Sequence, residues 1–329
     1  MNIVAIVQAR MGSTRLPGKV MMKINNTPMI GLLFERLSKS KKITKIVLAT
    51  STSVNNNPLE QYINSLNYTV YRGDESNVLK RYYQAAKQEN ADVVVRITGD
   101  CPLIDGDLVD KVIAGFIDGD ADYASNREPP TSPDGLDVEV ISIEALEDAH
   151  KKAKKDFQRE HVTPYIINSD IYEKFYLKNS EDLSADRWTV DELEDFTVVQ
   201  NIFNFFHPII DFSWEKIVQL KKSNPEIFTE NQHLIRNEGA RMGNGQKLWS
   251  RAKRIIPGGN MLLSKRSEMF LPDQWPAYFS KAKGCKVWDL DGREYTDMSI
   301  MGIGTNILGY GNDEVDAAVM DVVKKGNMS

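Results

Sequence analysis

Three short runs of apolar, largely β-branched residues govern what this chain can fold into: 2–7, 45–50 (KIVLAT) and 92–97 (DVVVRI). The third is almost continuously apolar, the pattern of a strand buried on both faces of a parallel sheet. Segments with helical apolar spacing lie between and after these runs, at 29–37, 57–66, 78–87 (with a tyrosine-rich face) and 107–117, and 69–71 reads as a further short strand. The alternation predicts an α/β fold: a mostly parallel, Rossmann-like sheet with helices on both faces. Ligands of such sheets sit at the carboxyl ends of the strands. Three segments fall on that edge: the loop 8–19 after the first strand, the turn 49–51 and the turn at Gly99-Asp100.

Beyond residue 125 the pattern is less regular. A Pro- and Asp-rich loop spans 125–137, followed by a strand at 136–141 and helices at 143–154 and 158–168. Short strands are expected at 173–177 and 188–191, then helices at 192–206 and 214–221. Residues 230–245 are polar, carry Gly239, Gly243 and Gly245, and show no apolar period, so they read as a linker. The chain is thereby divided into a domain at 1–229 and a small mixed α/β unit at 246–329. The second unit has a helix at 246–255, a stop at Pro257-Gly258-Gly259, and strands around 285–288 and 294–297. A run containing Gly302, Gly304, Gly309 and Gly311 then precedes a final helix at 313–325.

Composition narrows the function. The net charge of -5 argues against bulk nucleic-acid binding, which needs a basic face, yet permits a local basic pocket. No apolar run approaches the roughly 18–20 residues that span a bilayer. Cys101 and Cys285 lie too far apart in sequence for metal-ligand spacing. Met1 leads straight into a strand, leaving no room for a signal peptide, so a cytoplasmic enzyme is expected.

The loop after the first strand reads QARMGSTRLPGK. Gly12, Ser13 and Gly18 allow backbone N–H groups to approach phosphate oxygens, Arg10 and Arg15 offer planar donor forks, and Lys19 adds a compact charge. It matches neither a Walker A sequence nor a G-x-G-x-x-G fingerprint. Taken alone it could also be an exposed basic turn. Asp100, at the end of the DVVVRI strand, is placed to hold Mg²⁺, which takes one or two carboxylates with water and phosphate oxygens; the alternative is a plain Gly-Asp turn. Asp191 offers a second carboxylate, or an N-cap for the helix that follows.

The segments IVQARMGSTRLPGKVM, RGDESNVLKRYYQAA, VVRITGDCPLID, PDGLDVEVIS, REHVTPYI and RWTVDELEDF together resemble the spore-coat-polysaccharide type of cytidylyltransferase, related to the synthetases of CMP-sialic acid and CMP-3-deoxy-manno-octulosonate. The resemblance runs from residue 1 to about 217. It implies transfer of CMP from CTP to a sugar or sugar-acid acceptor with release of pyrophosphate, Mg²⁺ as cofactor, surface-polysaccharide or glycan synthesis as the purpose, and a homodimer. It implies that Gln8, Ala9, Arg10, Gly12, Ser13, Arg15, Lys19, Arg72 and Asp100 bind the nucleotide, that Asp100 and Asp191 hold the metal, and that Arg15, Lys19 and Asp100 carry the catalysis. Arg127, Asp137 and His161 are the candidates for the acceptor pocket. His161 serves equally well as a helix-packing residue, and Asp137 as a strand-edge residue. Two departures from the family pattern stand out: Asn77 where an aspartate is usual and Leu193 where a proline is usual.

The segments LWSRAKRIIPGG, KAKGCKVWDLDGREYTDM and NILGYGNDEVDAAV resemble the start of a pyridoxal-phosphate (PLP) aminotransferase of the glutamate-1-semialdehyde aminomutase type. That resemblance implies an N-terminal fragment of the fold, inactive by itself, with PLP bound only when the rest of the domain is present and with the full protein continuing past Ser329. None of Lys281, Lys283, Lys286, Lys324 or Lys325 lies in the expected Schiff-base context. A second functional class is a nucleotide-binding scaffold tethered to an aminotransferase.

Overall fold

The computed structural model describes residues 1–13, 15–234, 243–260, 266–271, 275–298 and 306–326. It separates into two compact units, Met1–Arg236 and Asn237–Ser329. The expected glycines Gly239, Gly302 and Gly304 lie outside the described residues, as does Ser329.

The first unit is built on a seven-stranded sheet. In chain order its early elements are β1 (Ile3–Gln8), the hairpin β2–β3 (Lys23–Ile24, Thr27–Pro28), α1 (Met29–Leu37), β4 (Lys45–Ser51), α2 (Asn57–Ser65), β5 (Thr69–Gly73), α3 (Val78–Gln88), β6 (Val93–Thr98) and α4 (Gly106–Asp118). There follow β7 (Tyr123–Ser125), β8 (Glu139–Ser142), α5 (Ile143–Lys152), α6 (Asp156–His161), α7 (Pro164–Ile167), β9 (Lys174–Tyr176), α8 (Leu193–Phe206) and α9 (Trp214–Ser223). The sheet order is β5-β4-β1-β6-β8-β7-β9. The first four strands are mutually parallel, β8 runs antiparallel to both β6 and β7, and β9 is parallel to β7.

Strand side chains alternate between faces, and here each face has its own core. Ala5, Val7, Leu48, Val95 and Ile97 pack with α1, α4 and α8 on one side. Val4, Ile6, Val47, Ala49 and Val94 pack with α3 and α5 on the other. Burial on both faces is why these strands are nearly continuous apolar runs, and why helices flank the sheet on both sides.

The irregular part departs from expectation in four places. Residues 123–125 form β7, whose three residues are too few to show a period. The strand expected at 136–141 begins only at Glu139, because 133–137 turn to meet the 186–188 segment, with Asp134 N donating to Asp186 O at 2.8 Å. The single helix expected over 158–168 is two short ones, α6 and α7. They are separated by Val162 at φ 71° and Thr163, and Pro164, which has no N–H to continue a helix, opens α7. Residues 188–191 are not a strand; they are held through Trp188 N to Asp134 O at 2.6 Å and Val190 N to Asp100 O at 2.8 Å.

In the second unit, α10 (Asn244–Ile255), a three-stranded antiparallel sheet of β10 (Phe279–Lys283), β11 (Lys286–Asp289) and β12 (Glu294–Thr296), and α11 (Asp313–Lys324) are present. β10 is an addition to the expected elements; its residues are mostly exposed and only Phe279 and Ala282 are apolar, which hides it from a hydrophobicity reading. No helix among the described residues is long and apolar enough to cross a membrane.

Gly115 on α4 packs directly beneath the edge strand β9, where an added Cβ would lie 2.0 Å from the Phe175 ring. Gly→Ala in a helix interior ordinarily gains about 1 kcal/mol. Gly115→Ala is expected to lose about 1–3 kcal/mol instead, through overpacking, as measured by urea unfolding.

Candidate active site

The loop after β1 leaves the sheet through Ala9, which is buried, and turns back on itself, with Gly18 N donating to Met11 O at 3.0 Å and Ser13 Oγ accepting from Leu16 N at 3.3 Å. Two contacts anchor it. Asn56, just before α2, accepts from Met11 N at 2.8 Å and donates to Ser51 Oγ at 2.8 Å, tying the loop to the end of β4. Gly99 N donates to Gln8 O at 2.7 Å, and an added Cβ on Gly99 would lie 2.6 Å from that of Ala9, so only glycine lets the β1 and β6 ends approach this closely. Arg10 and Gly12 are exposed, and the side of Gly12 where a Cβ would stand is open space.

Lys19 points from the far end of this loop into the protein. Its Nζ donates to Asp100 Oδ2 at 3.2 Å, Asp191 Oδ1 at 2.9 Å and Val190 O at 2.6 Å. Arg15 reaches Asp191 Oδ1 at 2.7 Å. Burial works to lower the Lys19 pKa, but Asp100 and Asp191 outweigh it and raise the ammonium above its usual value. Burial likewise works to raise Asp100, and Lys19, helped by the Thr98 hydroxyl, holds that carboxyl below the usual range. Both groups are therefore charged at neutral pH. Four residues far apart in sequence thus converge at the carboxyl edge of the sheet.

Asp191 is oriented from behind. Arg187 donates to Asp191 Oδ2 at 3.3 Å and lies in a fork against Asp195, Nε to Oδ1 and the NH2 nitrogen to Oδ2, both at 2.9 Å, while a third arm reaches Asp134 at 3.1 Å. Asp195 Oδ2 also accepts from the backbone N–H of Asp191 and of Glu192, each at 3.0 Å, and so caps α8. Asn231, buried, closes the arrangement by donating to Asp195 Oδ1 at 2.9 Å and Arg187 O at 3.0 Å. Asp195 and not Asp191 is the residue that serves the helix end. Arg187 lies in the RWTVDELEDF segment without being singled out there, and Asn231, whose partners are 36 and 44 residues away, carried no signal in the sequence.

Among the described residues no group of three or more His, Cys, Asp or Glu is arranged to hold a metal ion. The donors fit Mg²⁺ in its other common mode, two carboxylates completed by water and phosphate oxygens: Asp100 and Asp191 already share one cationic centre.

Residues 4–236 match the protein family described as Cytidylyltransferase. The chain belongs to that family. The Bacillus subtilis spore coat polysaccharide biosynthesis protein SpsF is 31% identical over 239 residues, covering 70% of this chain and 98% of SpsF. The solved structure of a cytidylyltransferase from Leptospira borgpetersenii superposes with a TM-score of 0.67 at 32% identity, over 69% of this chain and 97% of that one. A stretch of 87 residues is 36% identical to a 3-aminobutyryl-CoA aminotransferase of Cloacimonas acidaminovorans, 26% of this chain and 20% of that enzyme.

Within this cytidylyltransferase the two departures from the family pattern have plain local meanings. Asn77 Oδ1 accepts from Lys80 N at 3.0 Å and caps α3, a task at which Asn and Asp are equivalent. Leu193 is the first residue of α8, where losing a proline leaves the helix intact. Arg72 is engaged inward: its guanidinium donates to Ser51 O, Ser53 O, Asn57 and Glu60, bracing the segment after β4. All three of its nitrogens have protein partners, so its first role is to shape that segment. Gln8 Oε1, by contrast, is buried with no partner among the described residues.

The acceptor candidates divide. Arg127 ion-pairs with Asp137 at 3.2 Å and with Glu139 at 3.2 Å. Glu139 is fully buried, paired also with Arg96, and accepts from the Tyr123 hydroxyl at 2.6 Å. His161 is exposed at the end of α6; two residues on, buried Thr163 gives its hydroxyl to Glu139. The polar cluster therefore takes in the REHVT segment through Thr163.

Burial works to raise the Glu139 carboxyl, but Arg96 and Arg127 outweigh it and bring its pKa down to about 2. The unfolded chain binds a proton near the ordinary glutamate value while the folded chain does not. The contribution of Glu139 is therefore complete above roughly pH 5 and is lost as pH falls towards 2. In urea melts from pH 7 to 2.5, stability should decline below pH 5, and Glu139→Gln should flatten that decline. At pH 7 the same variant should lose about 3–5 kcal/mol, because two arginines are left with one counter-charge fewer.

Proposed function

We propose that this cytidylyltransferase transfers CMP from CTP to a hydroxyl of a sugar or sugar acid, releasing pyrophosphate, in the synthesis of a surface glycan. The observation that carries the reading is the convergence of Arg15, Lys19, Asp100 and Asp191 beside a loop with free backbone approach. An acceptor oxygen attacks the α-phosphorus of CTP in line as the bond to the β-phosphate oxygen breaks. The exposed Arg10 and Arg15, the backbone N–H of Gly12 and Lys19 gather the triphosphate charge and orient it, which lowers the barrier by positioning and charge neutralisation. Asp100 and Asp191 would hold Mg²⁺, which supplies a compact charge against the departing pyrophosphate oxygens. Arg127, with Asp137 and buried Glu139 behind it, is the group best placed by charge to meet an anionic acceptor. The fold family's resemblance to sugar-acid synthetases supports this acceptor class, a cytoplasmic setting and a homodimer.

In the same reading, the second unit is the beginning of an aminotransferase domain joined through a linker at 230–245. The 87-residue similarity to an aminotransferase supports it. Asn231 lies inside the first unit, so the effective linker starts after it. PLP chemistry needs residues beyond those described. A scaffold without catalysis is the weaker reading, because it leaves the paired carboxylates and the loop cations without a purpose.

Pyrophosphate release from CTP should require Mg²⁺ and a suitable acceptor from a panel of sugar acids and sugar phosphates. Asp100→Asn, nearly isosteric, should lower kcat by at least about 100-fold. A fall of less than tenfold would remove Asp100 from the metal site. Preference for GTP or UTP over CTP would remove cytidylyl transfer.

A further inference from the structure

An ammonium has three protons to give, and Lys19 has given all of them. Asp100 Oδ2, Asp191 Oδ1 and Val190 O surround its Nζ at 3.2, 2.9 and 2.6 Å, and the side chain is only 9% exposed. No donor remains for a phosphate unless one of these bonds opens. Asp191 is also heavily engaged: Lys19 and Arg15 hold Oδ1 and Arg187 holds Oδ2. Lys19 thus sits between the two carboxylates, with Arg15 and Arg187 on the remaining sides of Asp191. A divalent cation bridging Asp100 and Asp191 would need oxygen faces that Lys19 now occupies, since Mg²⁺ binds carboxylate oxygen at about 2.0–2.1 Å.

We propose that Lys19 is a tethered counter-cation: it fills the metal's place between Asp100 and Asp191 and excludes a free divalent ion until the triphosphate draws it away. This rests on reading those two aspartates as the metal carboxylates. A triphosphate offers Lys19 and Arg15 a more concentrated negative charge than the aspartates do. Arg15 is 37% exposed on a loop and Lys19 follows in the same loop, so both have a route outward. Once they turn to the phosphates, the carboxylates are left facing the incoming metal-nucleotide complex. The half-buried carboxylates are therefore never without a counter-charge, and metal and nucleotide enter together. Arg187, held in its fork by Asp195, stays behind Asp191 throughout and keeps the carboxylate aimed.

The test is Mn²⁺ binding to the full chain without nucleotide, followed by the electron paramagnetic resonance signal of free Mn²⁺. Lys19→Gln should bind one Mn²⁺ per chain at least tenfold more tightly than the wild type, and Lys19→Gln combined with Asp100→Asn should lose that gain. Mn²⁺ alone should raise the melting temperature of Lys19→Gln and leave that of the wild type unchanged. If Lys19→Gln folds poorly, Lys19→Met is read in the same two ways. Equal Mn²⁺ affinity in the wild type and a folded Lys19 variant overturns the proposal. The underlying metal assignment is judged separately, by calorimetric CTP affinity with Mg²⁺ and with EDTA. An Mg²⁺ enhancement in the wild type that is absent in Asp100→Asn upholds the assignment, even where the Lys19 proposal fails. An enhancement unchanged in Asp100→Asn overturns both.

Discussion

The interaction on which the rest of this molecule depends is the mutual neutralisation of charges at the carboxyl edge of its sheet. Asp100, Asp191, Asp195 and Asp134 are drawn out of bulk water by the convergence of the β1 loop, the end of β6 and the 186–195 segment. Unpaired carboxylates in such a place would cost several kcal/mol each. Lys19 and Arg187 make the convergence possible, each gathering acidic groups from separate parts of the chain. The site and the fold of the irregular half are thus one problem: the 188–191 segment has no ladder of its own, and stays in place because its neighbours' charges and backbone bonds hold it there.

This explains which features could be seen in the sequence. β1, β4 and β6 are buried on both faces, so their composition alone marks them, and the ligand-bearing edge follows from their direction. Asp100 was visible because it ends such a strand. The helices at 192–206 and 214–221 read clearly from their apolar spacing, but residues 186–191 and Asn231 were not legible in the same way. The expected strand at 188–191 is a segment held by contacts to Asp100 and Asp134, which no periodicity announces. The N-cap alternative for Asp191 belongs to Asp195, because the backbone amides of 191 and 192 both turn to that carboxylate. Val162 and Pro164 break a helix whose apolar spacing reads straight through them. Thr163 was hidden beside the more conspicuous His161, since a hydroxyl aimed at a buried carboxylate has no sequence signature.

Two charge networks lie at the carboxyl end of the sheet. Lys19 and Arg187 are ringed by carboxylates. Arg96, Arg127, Tyr123 and Thr163 surround a single buried glutamate, leaving Arg127 as the partly exposed member. Asn231 links the first network to the 225–234 segment, bonding Arg187 and Asp195 directly.

The most direct test of the central claim is a crystal structure with CTP and Mn²⁺, with the ion located by its anomalous scattering. The account predicts a single strong peak bound by Asp100, Asp191 and phosphate oxygens, with Lys19 turned from the carboxylates to the triphosphate. A triphosphate bound away from the β1 loop, or an ion that touches neither aspartate, would contradict it.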